Sequence, residues 1–356
     1  MPILSSLLQP VVEQHATLTR DQARAVLDEI LSGSDPALDA DIAALLTTMA
    51  RRGETAAEIT GFAEAMRAAA TPLPLTEPER SQLVDTCGTG GDGLGTFNIS
   101  TGAALVAAAA GARVAKHGNR AVTSKSGSAD VLESLGIPID LQPPDAVACL
   151  RSTGFIFLLA PALHPAMRRV APIRRALGFR TIFNLAGPLT NPAGASSQVM
   201  GVWAESKLNV VAEAMALLGV RHAYVVHGDS GAGSAGLDEL TVTGTSHLSI
   251  VRAGLPPTRL AFEPEQLGLA RAPLAALGGG ASAQESAAIL LAIFRGDEQG
   301  PRREIVLLNA AAALLAAGIA PDWREALARA AEAVDSGAAF RVVESLRSFS
   351  RARTTP

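Results

Sequence analysis

The residues best suited to chemistry begin with a glycine cluster. Gly88-Thr89-Gly90-Gly91-Asp92-Gly93 follows a short apolar run that ends at Cys87. Glycine frees the backbone to turn successive N–H groups inward, and such nests hold phosphate. Gly88, Gly90 and Gly93 also satisfy the G-x-G-x-x-G pattern of dinucleotide folds. That fold needs a helix at once and an acidic residue about 20 positions further on. Here the loop continues through Leu94-Gly95-Thr96, and no Asp or Glu stands between Asp92 and Asp130. A nicotinamide site is therefore excluded. The same acid-free interval contains Arg113, Lys116, His117, Arg120 and Lys125. A second run of mostly small residues, Thr123-Ser124-Lys125-Ser126-Gly127-Ser128, precedes a predicted helix, as Ser100-Thr101 precedes another. Two loops and two helix N-termini are thus placed to take a phosphorylated ligand.

Lys116-His117-Gly118-Asn119-Arg120 leaves a buried strand with cations suited to phosphate at Lys116 and Arg120. Asn119 suits a neutral polar group. His117 has no partner at metal spacing, so packing and ligand contact both stand as its roles. Of the 30 Lys and Arg residues only Lys116, Lys125 and Lys207 are lysine, and two of these fall in this interval. An ammonium is a point charge that a guanidinium fork does not replace. Asp238-Glu239 offers hard oxygen ligands to magnesium, which keeps waters and bridges substrate phosphates; the Ser100 hydroxyl is a candidate third ligand. Arg174 is a candidate carboxylate fork. The run Asn184–Pro192 reads as a rigid turn that shapes a hinge. Cys87 and Cys149 form neither a disulfide framework nor a metal knuckle and read as buried thiols.

The elements that must hold these residues change character along the chain. The first seventy residues read as helices only. Thr19 with Gln22 matches a capping box, and Ala25, Leu27, Ile30 and Leu31 follow at helical spacing. Further helices are predicted from Asp39 to Ala50 and from Thr55 onward. Thr71-Pro72-Leu73-Pro74 breaks the pattern. Beyond it, Leu83–Cys87, Arg113–Lys116, Phe155–Leu159, Gln198–Trp203 and Ala223–His227 read as short buried strands. The intervening helices are Thr101–Ala110, Ala129–Leu135, Asp145–Arg151, Pro165–Leu177 and Ser206–Leu218. Leu240–Val242 and Ser249–Val251 read as strands, and the tail from Ala283 as helical. The fold class is α/β: a small all-helical domain plus a larger domain with a mostly parallel central sheet flanked by helices. The division expected is 1–72 for the helical domain, completed by helices within 164–192, and 73–163 with 193–356 for the α/β domain.

Composition sets limits on partners. A hydrophobic fraction of 48% and a charged fraction of 18% allow a large core, and 356 residues suffice for two domains at roughly 100–200 residues each. A net charge of −4 and an aromatic content of 4% argue against nucleic acid as a partner. The apolar runs, such as Ala103–Ala110, fall short of the ~18–20 residues that span a bilayer, and Met1–Leu8 lacks a basic n-region. The expectation is a cytoplasmic protein without a membrane partner.

Taken together, the segments Gly88–Gly93 with Thr96–Thr101, Lys116–Gly136, His164–Met167, Arg180–Ala193, Leu237–Leu240 and Pro301–Ala312 resemble the anthranilate phosphoribosyltransferases of tryptophan biosynthesis. The likeness covers nearly the whole chain. Pyrimidine nucleoside phosphorylases resemble the same fold but carry a different lysine-glycine segment and lack the Asn119 context. The resemblance implies a homodimer joined through the helical domain, with substrates in the cleft between domains. It implies that phosphoribosyl pyrophosphate lies on Gly88, Gly91, Asp92, Thr96, Asn98, Ile99, Ser100, Thr101, Lys116, His117, Gly118, Asn119, Arg120, Ala121, Val122, Thr123, Ser124 and Ser128. Two magnesium ions would involve Ser100, Asp238 and Glu239, and anthranilate would approach Gly88, Asn119 and Arg174. Lys116, Asn119 and Arg174 are the residues it assigns to catalysis. Two departures stand out: Leu163 where the family often has an aromatic or His, and a longer loop from Asp229 to Ala235.

Overall fold

The computed structural model describes residues 3–90, 93–121, 126–231, 233 and 236–354. Four helices open it: α1 (Ile3–Gln14), α2 (Arg20–Ser32), α3 (Asp39–Arg52) and α4 (Ala56–Ala68). Capping chemistry sets two of their starts. Gln22 N–H donates to Thr19 Oγ1 at 3.2 Å and Thr19 N–H donates to Gln22 Oε1 at 2.9 Å, so two orphan donors are satisfied reciprocally. Thr55 and Glu58 repeat the box at α4. Glu58 is buried, and it also takes the Leu18 N–H at 2.9 Å and the Arg52 guanidinium at 2.5 Å. The rhythm of the sequence does not single out α1, which carries Pro10 in its interior.

After the short α5 (Glu77–Arg80) come the strands β1 (Leu83–Gly88), β2 (Arg113–Gly118), β3 (Phe155–Leu159), β4 (Ser197–Gly201), β5 (His222–Asp229), β6 (Gly236–Leu237), β7 (Ser246–Arg252) and β8 (Thr258–Phe262). They form one sheet in the order β3-β2-β1-β4-β5-β7-β8, with β6 on β5. β3, β2, β1, β4 and β5 run parallel; β6, β7 and β8 are added antiparallel. The central strands read as continuous apolar runs because helices cover both faces. The remaining helices are α6 (Ile99–Ala109), α7 (Ser128–Ser134), α8 (Pro143–Thr153), α9 (Ala160–Leu163), α10 (Ala171–Leu177), α11 (Ile182–Ala186), α12 (Leu208–Leu217), α13 (Ala283–Arg295), α14 (Pro301–Ala317), α15 (Trp323–Asp335) and α16 (Ala338–Thr354).

Two sequence expectations are corrected. Leu240–Val242 is not a strand: Thr241 N–H donates to Ser246 Oγ at 3.0 Å and Thr243 N–H to Thr241 Oγ1 at 2.9 Å, so hydroxyls take the donors a ladder would need. The helix expected over Pro165–Leu177 is two pieces, a 3₁₀ turn at Pro165–Arg169 and α10, because Pro172 cannot donate an N–H and restricts the residue before it.

One core packs α6, α14 and α15 against the sheet. A second joins the four opening helices to Val170, Ile173, Phe183 and Leu189 and continues into α12 and the Met200 and Val225 side of the sheet. Arg67 Nε donates to Leu189 O at 2.8 Å across that junction. Among the described residues no helix is long and apolar enough to cross a membrane.

Candidate functional site

The chain leaves β1 for β2 on one side of the sheet, while β4 lies on the other, so the topology reverses at the β1–β4 pair. In open α/β sheets ligands bind outside the strand ends at such a switch point. Here the two strands end level, Gly88 opposite Gly201, and residue 238 crosses directly over both. A Cβ on Gly88 would lie 2.2 Å from Asp238 Oδ2, and one on Gly201 only 1.5 Å from Asp238 O. Gly201 needs glycine because backbone fills the Cβ position, whereas at Gly88 a side chain would displace the Asp238 carboxylate.

Asp238 and Glu239 converge on the glycine loop from opposite ends. Gly90 N–H donates to Asp238 Oδ2 at 2.7 Å, near the loop's start. Ser100 N–H, in the first turn of α6, donates to Glu239 Oε1 at 3.0 Å. The pair leaves a strand, β6, rather than leading into one. Their oxygens and the Ser100 hydroxyl are the hard donors magnesium takes. Among the described residues no group of three His, Cys, Asp or Glu is arranged to cage a metal.

The cations behave differently from the sequence expectation. Lys116 is 1% exposed, and its ammonium donates to Thr86 O and, at 3.2 Å, to Ser100 Oγ. It lies beneath the loop rather than pointing into open solvent. Burial pulls its pKa down, opposed by the negative charge of Asp85, Glu239 and Asp238. Asp85, fully buried on β1, accepts the His117 N–H at 3.1 Å; burial pushes its carboxyl up to about 6. Arg120 is committed to α7, 3.1 Å from Asp130 and 2.8 Å from Glu133. Lys116 and Arg120, two cations of the interval that is free of acids in sequence, thus meet carboxylates in space.

The second loop is closed at its neck. Asp130 Oδ2 accepts the N–H groups of Ala121 and Gly127, both at 2.9 Å. Asn98 ties the two loops together: its Oδ1 accepts Ser126 Oγ at 2.8 Å and Ser286 Oγ of α13 at 2.9 Å. Thr96 forms a β-bridge with Gly278. Ile99 and Thr101 are buried in the first turn of α6, so their side chains face the core. Gly118 ends β2 and Ser128 begins α7. Asn119 is exposed, and its Oδ1 accepts the Arg120 N–H at 2.8 Å. Gly91, Asp92, Val122, Thr123, Ser124 and Lys125 lie outside the described residues.

The His117 and His164 rings lie 5.1 Å apart between centroids, tilted by 52°, and burial brings the His117 imidazole down to about 3. Arg174 lies 5.1 Å from the Phe183 ring centroid, and it makes no ion pair with a described carboxylate. Burial lowers its pKa. Asn191, in the expected rigid turn, donates to Ala115 O at 2.7 Å and so braces β2. Both thiols are buried, and burial pushes Cys149 up to about 11.

Sequence reasoning missed Asp85, Asp130 and Asn309. Asp85 and Asn309 had a signal: Asp85 is the single carboxylate of a buried strand and Asn309 the lone polar residue of an apolar run. Asp130 had none beyond its place after the second loop.

Family models describe two parts of this chain. Residues 5–70 match the glycosyl transferase family helical bundle domain, and residues 80–340 match the glycosyl transferase family a/b domain. The chain is 50% identical over 346 residues to the anthranilate phosphoribosyltransferase of Roseiflexus castenholzii, covering 97% of this chain and 98% of that one. It is similar to the crystal structure of anthranilate phosphoribosyltransferase from Thermus thermophilus, with a TM-score of 0.87 and 42% identity over 99% of this chain and all of that one. It is also similar to the Saccharomyces cerevisiae enzyme solved in complex with PRPP and Mg, with a TM-score of 0.85, 27% identity and 98% of each chain covered.

Proposed function

The chain belongs to the anthranilate phosphoribosyltransferase family, and we propose from that premise how its residues carry out the reaction. The reaction transfers the 5-phosphoribosyl group of phosphoribosyl pyrophosphate to the amine of anthranilate, a step of tryptophan biosynthesis. The observation that carries the assignment is the convergence of Asp238 and Glu239 on Gly90 and Ser100 at the switch point of the sheet.

In this reading the pyrophosphate lies along the glycine loop and the N-terminus of α6, whose dipole favours an anion. Asp238, Glu239 and Ser100 would hold magnesium, two ions per subunit, which would supply positive charge to stabilise the pyrophosphate leaving group. Lys116 acts from beneath: its ammonium fixes the Ser100 hydroxyl and the carbonyl of Thr86, so the ligand-facing atoms are pre-aimed. The ribose phosphate lies beside the neck of the second loop, where Asp130 holds Ala121 and Gly127. Anthranilate docks near Gly88 and Asn119, with Arg174 forking its carboxylate.

The amine nitrogen forms its bond to ribose C1 as the bond from C1 to the pyrophosphate oxygen breaks, and the nitrogen then releases a proton. An aromatic amine is already unprotonated at neutral pH, so the site needs position and charge stabilisation more than a strong base. We place the enzyme in the cytoplasm as a homodimer joined through the helical domain, where Ile3 and Val12 of α1 leave apolar side chains exposed.

One preparation tests this. Purified protein with magnesium and phosphoribosyl pyrophosphate consumes anthranilate, followed by loss of its fluorescence, and light scattering gives the mass of two chains. Persistent fluorescence refutes the activity, and a monomer mass refutes the assembly.

A further inference from the structure

α14 is buried almost all round, and Asn309 is the single amide in its centre, 2% exposed. A polar group there is costly unless all its bonding capacity is used. Most of it is used on one residue. Asn309 Oδ1 accepts the Leu240 N–H at 3.0 Å, and Asn309 Nδ2 donates to Leu240 O at 2.9 Å. The second amide hydrogen goes to Ile305 O, one turn back, at 2.9 Å. One side chain therefore satisfies both backbone groups of the residue that follows Glu239, as a neighbouring strand would. On the other side of the pair, Leu237 is held by its pairing with Gly228 of β5. Asp238-Glu239 is a two-residue span pinned at both ends.

We propose that Asn309 is a positioning residue for the transfer reaction: by fixing the backbone of Leu240 it aims the Asp238 and Glu239 carboxylates at the glycine loop and at Ser100. The proposal rests on the reading of that pair as the magnesium–pyrophosphate site. Asn309 touches no substrate. Its effect passes through Leu240, so it sets the magnesium requirement and leaves the anthranilate requirement alone. A role in helix packing alone would move neither.

The test compares Asn309→Ala, Asn309→Asp and Glu239→Gln in the full-length enzyme, titrating magnesium at fixed phosphoribosyl pyrophosphate. Loss of a group that orients a metal ligand typically costs 10–100-fold in metal affinity, so half-saturating magnesium rises at least about tenfold in Asn309→Ala. It rises less in Asn309→Asp, which keeps the acceptor for the Leu240 N–H, and the KM for anthranilate stays as in the parent. Glu239→Gln separates the two layers. If it leaves the magnesium requirement unchanged, the metal reading itself fails. If it shifts that requirement while folded Asn309→Ala does not, the positioning role is overturned. Hydrogen exchange on the unmodified enzyme tests the clamp without a variant: the Leu240 amide is among the slow ones, and fast exchange there overturns the proposal.

Discussion

At the scale of single residues, the site is built from polar groups that face inward. Lys116 and Asp85 are both buried on adjacent strands, and their charges oppose the desolvation each suffers. Neither would be chosen for stability alone; together they hold the Ser100 hydroxyl and the His117 backbone from below. The buried imidazole has a consequence for stability. An unfolded His titrates near 6.5, while His117 in the fold is held to about 3. Between those values the unfolded chain binds a proton that the native state refuses. The His117 contribution is therefore complete above pH 6.5 and is lost progressively as the pH falls toward about 3. His164, lowered by burial, acts in the same sense. Asp85 acts in the opposite sense: between 3.8 and about 6 the native state holds a proton that the unfolded chain has released, so falling pH stabilises through this group. In His117→Gln the urea midpoint should decline less between pH 7 and pH 4 than in the parent. Equal slopes would contradict the buried neutral assignment.

At the scale of elements, close approach decides more than charge. β4 ends in Gly201 where the backbone of residue 238 crosses, and β1 ends in Gly88 where the Asp238 carboxylate stands. Gly201→Ala places a Cβ into the Asp238 carbonyl, which is backbone and cannot swing aside. Displacing a catalytic group by ~1 Å costs on the order of 100-fold in rate, and overpacking costs about 1–3 kcal/mol. Steady-state kinetics and a melting curve should show both for Gly201→Ala; a variant with parental kcat/KM would show that the crossing does not matter. Much of this element level was legible in advance. The parallel strands read as short buried runs, and Thr19 and Thr55 marked helix starts through their own hydrogen bonds. Leu240–Val242 misled because β-branched residues favour strands, while Thr241 and Ser246 side chains took the backbone donors first. The commitment of Arg120 to Asp130 and Glu133 was not legible because it depends on where α7 folds back, not on sequence spacing.

At the scale of the whole molecule, two cores meet at the site. The helical bundle shares its core with one side of the sheet, and α6, α13 and α14 support the glycine loops from the other. The loops themselves are joined by Asn98, and the carboxylate pair is suspended between β5 and α14. The sequence offered Gly88 through its glycine cluster and Ser100, Asp238 and Glu239 through their hard oxygens, while Asn98 came only with the family resemblance. It could not say that Lys116 lies underneath, since that follows from the register of β2 on β1. We propose that Asp238 and Glu239 receive magnesium together with the pyrophosphate at the switch point of the sheet. Calorimetric titration of phosphoribosyl pyrophosphate into the parent enzyme and Asp238→Asn, each with and without magnesium, tests it most directly. The account predicts that magnesium tightens binding to the parent, and that Asp238→Asn loses at least about tenfold of that gain while matching the parent when magnesium is absent. Equal magnesium-dependent affinity in the two proteins would contradict it.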